Sequence, residues 1–434
     1  MNLTPKTTPT ARLVPSTTAA SAVLAALPNV RGWQEDFYRD VHSHPELSHR
    51  EFETSKKVAA RLENAGFTVH DGIGGTGLVG ILRNGDGPVV LLRAEMDALP
   101  VREDTSLPYA STTTDIDAHG SEIPVSHVCG HDMHTTCLVG AAHLLAAGRQ
   151  QWSGTLIALF QPAEEVGDGA RIMVEDNLAG IIPRPDVALA QHNLQQPAGH
   201  VRTRSGPALS VADSIRITLH GRGGPGSMPH TTVDPVALAA MIVVRLQTVV
   251  SREVPPSDTA VLTVGSIRAG TKSNVISDRA VLELNIRSYS EQTRKILLDA
   301  VHRIVTAECR ASGCPKDPEF TMFDQFPLTD NDTATTERVA AAFEAFFGAD
   351  RTGEMEQLPA SENFSDIPGA FGTPNTYWGI GCIDPELYRV AVESGRVAQD
   401  IPAPHAPNFA PMIQPTCDTG TQALVVAALE WLAT

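Results

Sequence analysis

Short apolar runs that end in polar clusters recur through the first half of the chain. Those at 78–82, 89–93, 155–160 and 186–190 have the length of buried strands. Between them the spacing turns helical. Phe52, Val58, Ala59 and Leu62 lie near turn intervals and Gly66 supplies a stop, which predicts a helix over 51–65. Further helices are predicted over 135–147 and 170–177. Strands that alternate with helices predict an α/β fold, and such sheets collect ligands where their strands end.

From about 209 to 320 the pattern changes. Residues 214–219 alternate, 234–250 form one long helical run, 260–267 and 280–287 are strand-like, and 290–307 is helical. With one more strand this order matches a ferredoxin-like unit, which predicts an inserted α+β satellite domain. The α/β pattern then resumes with a helix near 335–347, a strand at 375–380 and a closing helix at 419–432. The predicted organisation is a flexible N-terminal tail at 1–30, a mixed-sheet catalytic domain with helices on both faces formed by 31–208 and 321–434, and the satellite at 209–320.

Length and composition fit this division. A chain of 434 residues is too long for one ordinary core, and 42% apolar with 19% charged residues is typical of a globular protein. A formal net charge of −17 argues against nucleic acid as a partner, because phosphate binding needs clustered Lys and Arg. Six cysteines without a C-x-x-C pair form no dense disulfide framework and suggest a reducing compartment. The apolar stretch at 19–27 is diluted by Ala and Ser, so it reads as tail rather than signal peptide. No later stretch reads as a membrane span, and the expected location is the cytoplasm.

Four motifs carry candidate chemistry, all near predicted strand ends or loops. In HVCGHDMHTTC, Cys129, His131 and His134 crowd the start of a helix, where a thiolate and an imidazole two residues apart can face one borderline-soft metal ion. A small buried cysteine with capping histidines fits the same letters. In FQPAEEVGDGA, Glu164 and Glu165 follow a strand, so one carboxylate can bind a metal while the other acts as general base; a solvated turn is the plain alternative. His192 in DVALAQHN and His405 in PAPHAPNFAP are further candidate ligands, although each alone also fits a structural or exposed role. Asp97, just past the strand at 89–93, is placed to accept the N–H of a metal-bound histidine or to cap a turn, and Glu95 could serve instead. In the satellite, Asn274 and Arg287 suit a substrate carboxylate, although a strand Arg ordinarily faces solvent.

Taken in order, YRDVHSHPELSHREFET, RAEMDALP, HVCGHDMHT, QPAEE, AQHN, GRGG…MPHTTVDP, NVISD with Arg287, SENFS and His405 resemble the di-metal aminoacylase and carboxypeptidase family. The likeness is to its amidohydrolase branch of hippurate and auxin-conjugate hydrolases, and it runs from about Gly32 to the end. The resemblance implies two divalent ions, Zn²⁺ or Mn²⁺ with Co²⁺ as a further option, held by Cys129, His131, Glu165, His192 and His405. It implies Glu164 as general base in hydrolysis of the amide bond of an N-acyl-amino acid. It also implies that Asn274 and Arg287 hold the substrate carboxylate, often across the interface of a homodimer formed by the satellite.

Four positions depart from the family pattern. Pro225 replaces the histidine expected to stabilise the oxyanion, and losing one such donor typically costs about a hundred- to a thousand-fold in rate. His230 is a candidate substitute. The others are Glu95 for Asp, Ser277 for Pro and Asn363 for Asp. Two alternatives follow: a metal-binding pseudoenzyme or weakly active relative silenced through Pro225, and a hydrolase with Cys129 as nucleophile and His131 as base.

Overall fold

The computed structural model describes residues 15–117 and 120–433. Its N-terminal part contributes helices Pro15–Leu24 (α1), Leu27–Ser43 (α2), Phe52–Asn64 (α3) and His131–Ala147 (α4). It also contributes strands Thr68–Ile73 (β1), Gly77–Asn84 (β2), Val89–Glu95 (β3), Gly154–Gln161 (β4), Val187–Pro197 (β5) and Val201–Thr203 (β6). Next come Val211–His220 (β7), Pro235–Leu246 (α5), Ala260–Ala269 (β8), Arg279–Ser288 (β9), Glu291–Ala311 (α6) and Glu319–Phe326 (β10). The chain closes with Thr333–Phe347 (α7), Thr352–Glu354 (β11), Asn375–Ile383 (β12) and Ile413–Leu432 (α8).

The main sheet has eight strands in the order β1-β2-β4-β3-β5-β12-β6-β11. Its centre is parallel, with β3 between β4 and β5 and with β12 beside β5, while β1 and β2 are antiparallel additions. Side chains alternate between its two faces. Leu82, Val90, Leu92, Leu156, Phe160 and Leu189 pack with the layer of α1–α4, α7 and α8. Val79, Ile81, Leu91, Ile157, Leu159 and Ala188 pack on the other side with Met173, Leu178 and Ile367 from shorter helices. Burying each large side chain stabilises the fold by about 1.5–3 kcal/mol, which is why the central strands begin as apolar runs and turn polar only toward their carboxyl ends.

The satellite is a separate four-stranded antiparallel sheet in the order β8-β9-β7-β10, covered on one face by α5 and α6. This is the predicted ferredoxin-like arrangement. Chain entry and exit lie side by side, because Gly206–Leu209 pairs antiparallel with Thr329–Asn331.

Three expectations change. The proposed tail at 1–30 is helical from Pro15, and Ala19, Ala20, Val23 and Leu24 are buried in the main core; residues 1–14 lie outside the described residues. The alanines that diluted the apolar signal let this helix lie close to its neighbours. The helix predicted over 234–250 breaks at Gln247 into α5 and Thr248–Glu253. By length and composition alone Pro235–Glu253 could cross a membrane, but Leu238, Ala239, Ile242 and Leu246 lie in the satellite core. The strand predicted to stop at 190 runs on to Pro197 because β12 pairs beside it as far as Leu194 and, after a register shift, again at Pro197.

Candidate active site

The candidate residues meet where β3, β4 and β5 pass the start of α4. Glu95 ends β3 and Asp97 follows it, Glu164 and Glu165 follow β4, and His192 lies within β5. Cys129 and His131 flank Gly130, which has φ +85°; a Cβ there would lie 2.3 Å from the Asn193 side-chain nitrogen. Only glycine fits that approach, and its carbonyl accepts a hydrogen bond from Asn193 Nδ2 at 3.0 Å.

Each imidazole is oriented by what its Nδ1 meets. His131 Nδ1 donates to the Asp97 backbone oxygen at 2.9 Å and to Asp97 Oδ1 at 3.1 Å, and His192 Nδ1 donates to the Asn193 carbonyl at 2.8 Å. Both Nε2 atoms therefore face the cluster. His131 Nε2 is buried without a hydrogen-bond partner, as is Glu165 Oε1, 3.8 Å away. Cys129 Sγ lies 3.5 Å from His192 Nε2, and His405 Nε2 lies 3.5 Å from Glu165 Oε2. His405 sits in the Pro-rich loop at φ +69°, with its backbone N–H donating to the Val128 carbonyl at 2.8 Å.

Asp97 joins the two halves. Its Oδ1 meets His131, and its Oδ2 accepts from Ser48 Oγ at 2.7 Å and from the Glu165 backbone N–H at 2.9 Å. Glu51, which no local pattern singles out, does the same two residues earlier in that loop. Its Oε1 accepts from the Ala163 N–H at 2.8 Å and its Oε2 from Thr76 Oγ1 at 2.5 Å. Ala163 has φ +50°, a conformation that is unfavourable for a residue with a Cβ, so an external hydrogen bond is needed to hold the turn that aims Glu164 and Glu165.

The electrostatics favour a bound cation. Burial opposes a charge on His131, but Cys129 and Asp97 outweigh it and raise its pKa well above the usual imidazole range. Burial pushes the Cys129 thiol up, and Glu165 adds to it. Burial also raises Glu165 to about 7, and with Glu362 and Glu165 nearby it lifts Glu164 well above the usual carboxylate range. His192 is lowered by burial and by His134, which keeps it neutral. Carboxylates this crowded retain protons unless a positive charge arrives, and divalent ions are the natural replacement. The donors also fit such ions: Cys129, Glu165 and His405 converge as one group, and His131 and His192 lie in a second.

His134, next to the candidate ligands in sequence, is used otherwise. Its Nδ1 donates to Glu95 Oε1 at 2.9 Å and its Nε2 accepts the Asn193 N–H at 2.9 Å, so both nitrogens are committed. Behind it Arg93 is fully buried, paired with Glu95 at 2.8 Å and with Glu362 at 2.7 Å, while also donating to Gln161. Two of the unusual positions meet in this network, because Asn363 Oδ1 accepts from Gln161 Nε2 at 2.7 Å and lies 3.4 Å from Arg93. An arginine inside VVLLRAE signals a buried partner, since unpaired buried charge is prohibitive.

The satellite candidates stand apart. Arg287 reaches across to the main domain, where Nη1 donates to the Pro359 carbonyl at 2.8 Å and to Ser361 Oγ at 3.0 Å. Asn274 and His230 are exposed, and among the described residues no hydrogen bond or ion pair joins either to the cluster. Pro225 is exposed opposite Val275, beside Asn274.

Known proteins resemble this chain over most of its length. Thermostable carboxypeptidase 2 of Saccharolobus solfataricus is 35% identical over 368 residues, covering 82% of this chain and 89% of its own. N-acetylcysteine deacetylase of Bacillus subtilis is 35% identical over 366 residues, covering 81% of this chain and 92% of its own. The crystal structure of a Bacillus subtilis dinuclear metal-binding peptidase superposes with a TM-score of 0.73 at 28% identity, covering 93% of this chain and 98% of that one. Residues 91–392 match peptidase family M20/M25/M40, and with these relatives the match shows that the chain belongs to that family.

Proposed function

We propose that the protein is a dinuclear metal-dependent amidohydrolase that releases a carboxylic acid and a free amino acid from N-acyl-amino acids. The observation that carries this reading is the convergence of Cys129, His131, Glu165, His192 and His405 around buried, unpartnered donor atoms, with the Glu164 carboxylate 4.0 Å from His131 Nε2. The relatives agree with it chemically: the C-terminal residue of a peptide, like acetylated cysteine, is an amino acid whose nitrogen carries an acyl group.

Two divalent ions, Zn²⁺ or Mn²⁺ with Co²⁺ as a further option, would polarise the amide carbonyl and acidify water when bound. The chain's own residues do the rest. Asp97 fixes the tautomer of His131 and the position of the Glu165 backbone. Glu164, its pKa raised by burial, takes a proton from the attacking water and passes it to the leaving amine. Arg287 offers its remaining guanidinium face to the substrate carboxylate, while its other N–H groups are held by Asn285, Pro359 and Ser361.

A homodimer through the satellite accounts for the isolation of Asn274 and His230, which would act in the partner's site. Its support is the free edge of β8 and the outer face of α5, where Met241 and Val244 are 61% and 71% exposed. The proposed location is the cytoplasm.

The test is a pair of variants assayed for amine release on a panel of N-acyl-amino acids, with metal content measured alongside. Glu164→Ala should lose about 10²–10⁴ in kcat with metal content unchanged. Glu165→Ala should lose metal. Full activity in both, or activity that survives complete chelation, would refute the reading.

A further inference from the structure

Glu95 is fully buried at the end of β3, and its two oxygens have different neighbours. Oε2 accepts from Arg93 Nη1 at 2.8 Å, and Oε1 accepts from His134 Nδ1 at 2.9 Å. His134 Nε2 receives the Asn193 N–H, so that ring keeps its proton on Nδ1 and has no lone pair left for a metal. It orients Glu95 instead. A carboxylate oxygen accepts more than one partner, and Oε1 also lies 3.8 Å from His131 Nε2 and 4.0 Å from His192 Nε2. Both of those nitrogens carry lone pairs when neutral, because their Nδ1 atoms are the donors.

Donors bonded to one ion at about 2.0–2.3 Å lie roughly 3–4 Å apart. Glu95 Oε1, the two imidazole nitrogens and Cys129 Sγ, itself 3.5 Å from His192 Nε2, already approach that spacing. Residue type matters here. Aspartate is shorter by one C–C bond, about 1.5 Å, and if its carboxylate stayed with Arg93 it would withdraw from both nitrogens.

We propose that Glu95 is itself a ligand of the ion held by His131, His192 and Cys129. This rests on the dinuclear reading above. The two halves of the centre then differ: one is closed by four protein donors, while the other, Cys129 with Glu165 and the half-exposed His405, has three and keeps a position open for substrate.

The experiment uses Co²⁺ with the full-length protein stripped of metal. Equilibrium dialysis gives the two affinities, and the visible spectrum at one equivalent reports the coordination of the tighter site. Glu95→Asp, which keeps the charge but shortens the reach, should weaken the tighter site by about 10- to 100-fold, leave the other within two-fold and change the one-equivalent spectrum. Wild-type affinities and an unchanged spectrum in this variant would overturn the proposal while leaving the dinuclear reading intact. A wild-type protein that binds fewer than two ions would remove both. If Glu95→Asp fails to fold, Glu95→Gln, of equal length but a weaker donor, is read by the same isotherm against the same outcomes.

Discussion

Glu51→Gln isolates the electrostatic cost of the support beneath the Glu164–Glu165 turn. Burial, helped by Asp97, raises the Glu51 pKa from its ordinary 4.5 to about 7. The sign follows from proton binding: between pH 4.5 and 7 the unfolded chain has released the proton and the folded chain has kept it. The stability that this proton contributes is present in full below pH 4.5 and is lost as pH rises through about 7. At 1.36 kcal/mol per unit the total is about 3 kcal/mol. Glutamine has no such proton, and its oxygen can still accept the Ala163 N–H that Glu51 accepts at 2.8 Å. It loses the strong bond from Thr76, a net cost of about 1 kcal/mol. The variant should therefore be close to or below wild-type stability at pH 5 and more stable by about 2 kcal/mol at pH 8. Urea unfolding of metal-stripped protein measures this, followed by fluorescence of the buried Trp152 and Trp378 in the main core. Metal must be absent because bound cations would pull the Glu51 pKa down. A wild-type-to-variant difference that is the same at both pH values would refute the reasoning.

Two further outcomes are expected. Metal binding must displace protons from Glu165, raised to about 7, and from the raised Cys129 and His131, so Zn²⁺ affinity should tighten by about ten-fold or more per pH unit between pH 6 and 8. Calorimetry in buffers of different ionisation enthalpy counts those protons, and a flat profile would be inconsistent with them. Asp97→Asn keeps an oxygen for His131 but cannot also serve Ser48 and Glu165 as a carboxylate does; it should lower metal affinity by about 10- to 100-fold, measured by competition with a chromophoric chelator.

Strand ends were the most legible part of the site. The apolar runs before Asp97 and Glu164 placed both residues at the carboxyl edge, and the Gly130 turn between Cys129 and His131 is local enough to read from sequence. His405 has no periodic signal, because a Pro-rich loop held by backbone hydrogen bonds to Val128 and Asp104 follows tertiary contacts only. Glu51 and the role of His134 were hidden for a related reason: their partners, Ala163 for one and Glu95 with Asn193 for the other, lie far away in sequence. The short strands β6 and β11 carry too few residues for a period to show, and pairing with neighbours alone defines them. The N-terminal helix was missed because small residues pack well while scoring as weakly apolar.

The paired neck formed by Gly206–Leu209 and Thr329–Asn331 bears on how the chain folds. The satellite's own first and last strands, β7 and β10, are neighbours, with Ala212 opposite Phe326. A satellite that forms early therefore delivers the two interrupted ends of the main domain side by side. Loop closure grows slowly with length, about 0.6 kcal/mol for each doubling, so the interruption carries a small entropic cost even before that help. The same adjacency means that a short turn joining Leu209 to Thr329 would connect the main domain without crossing the sheet, which makes the satellite a removable module in the path of the chain.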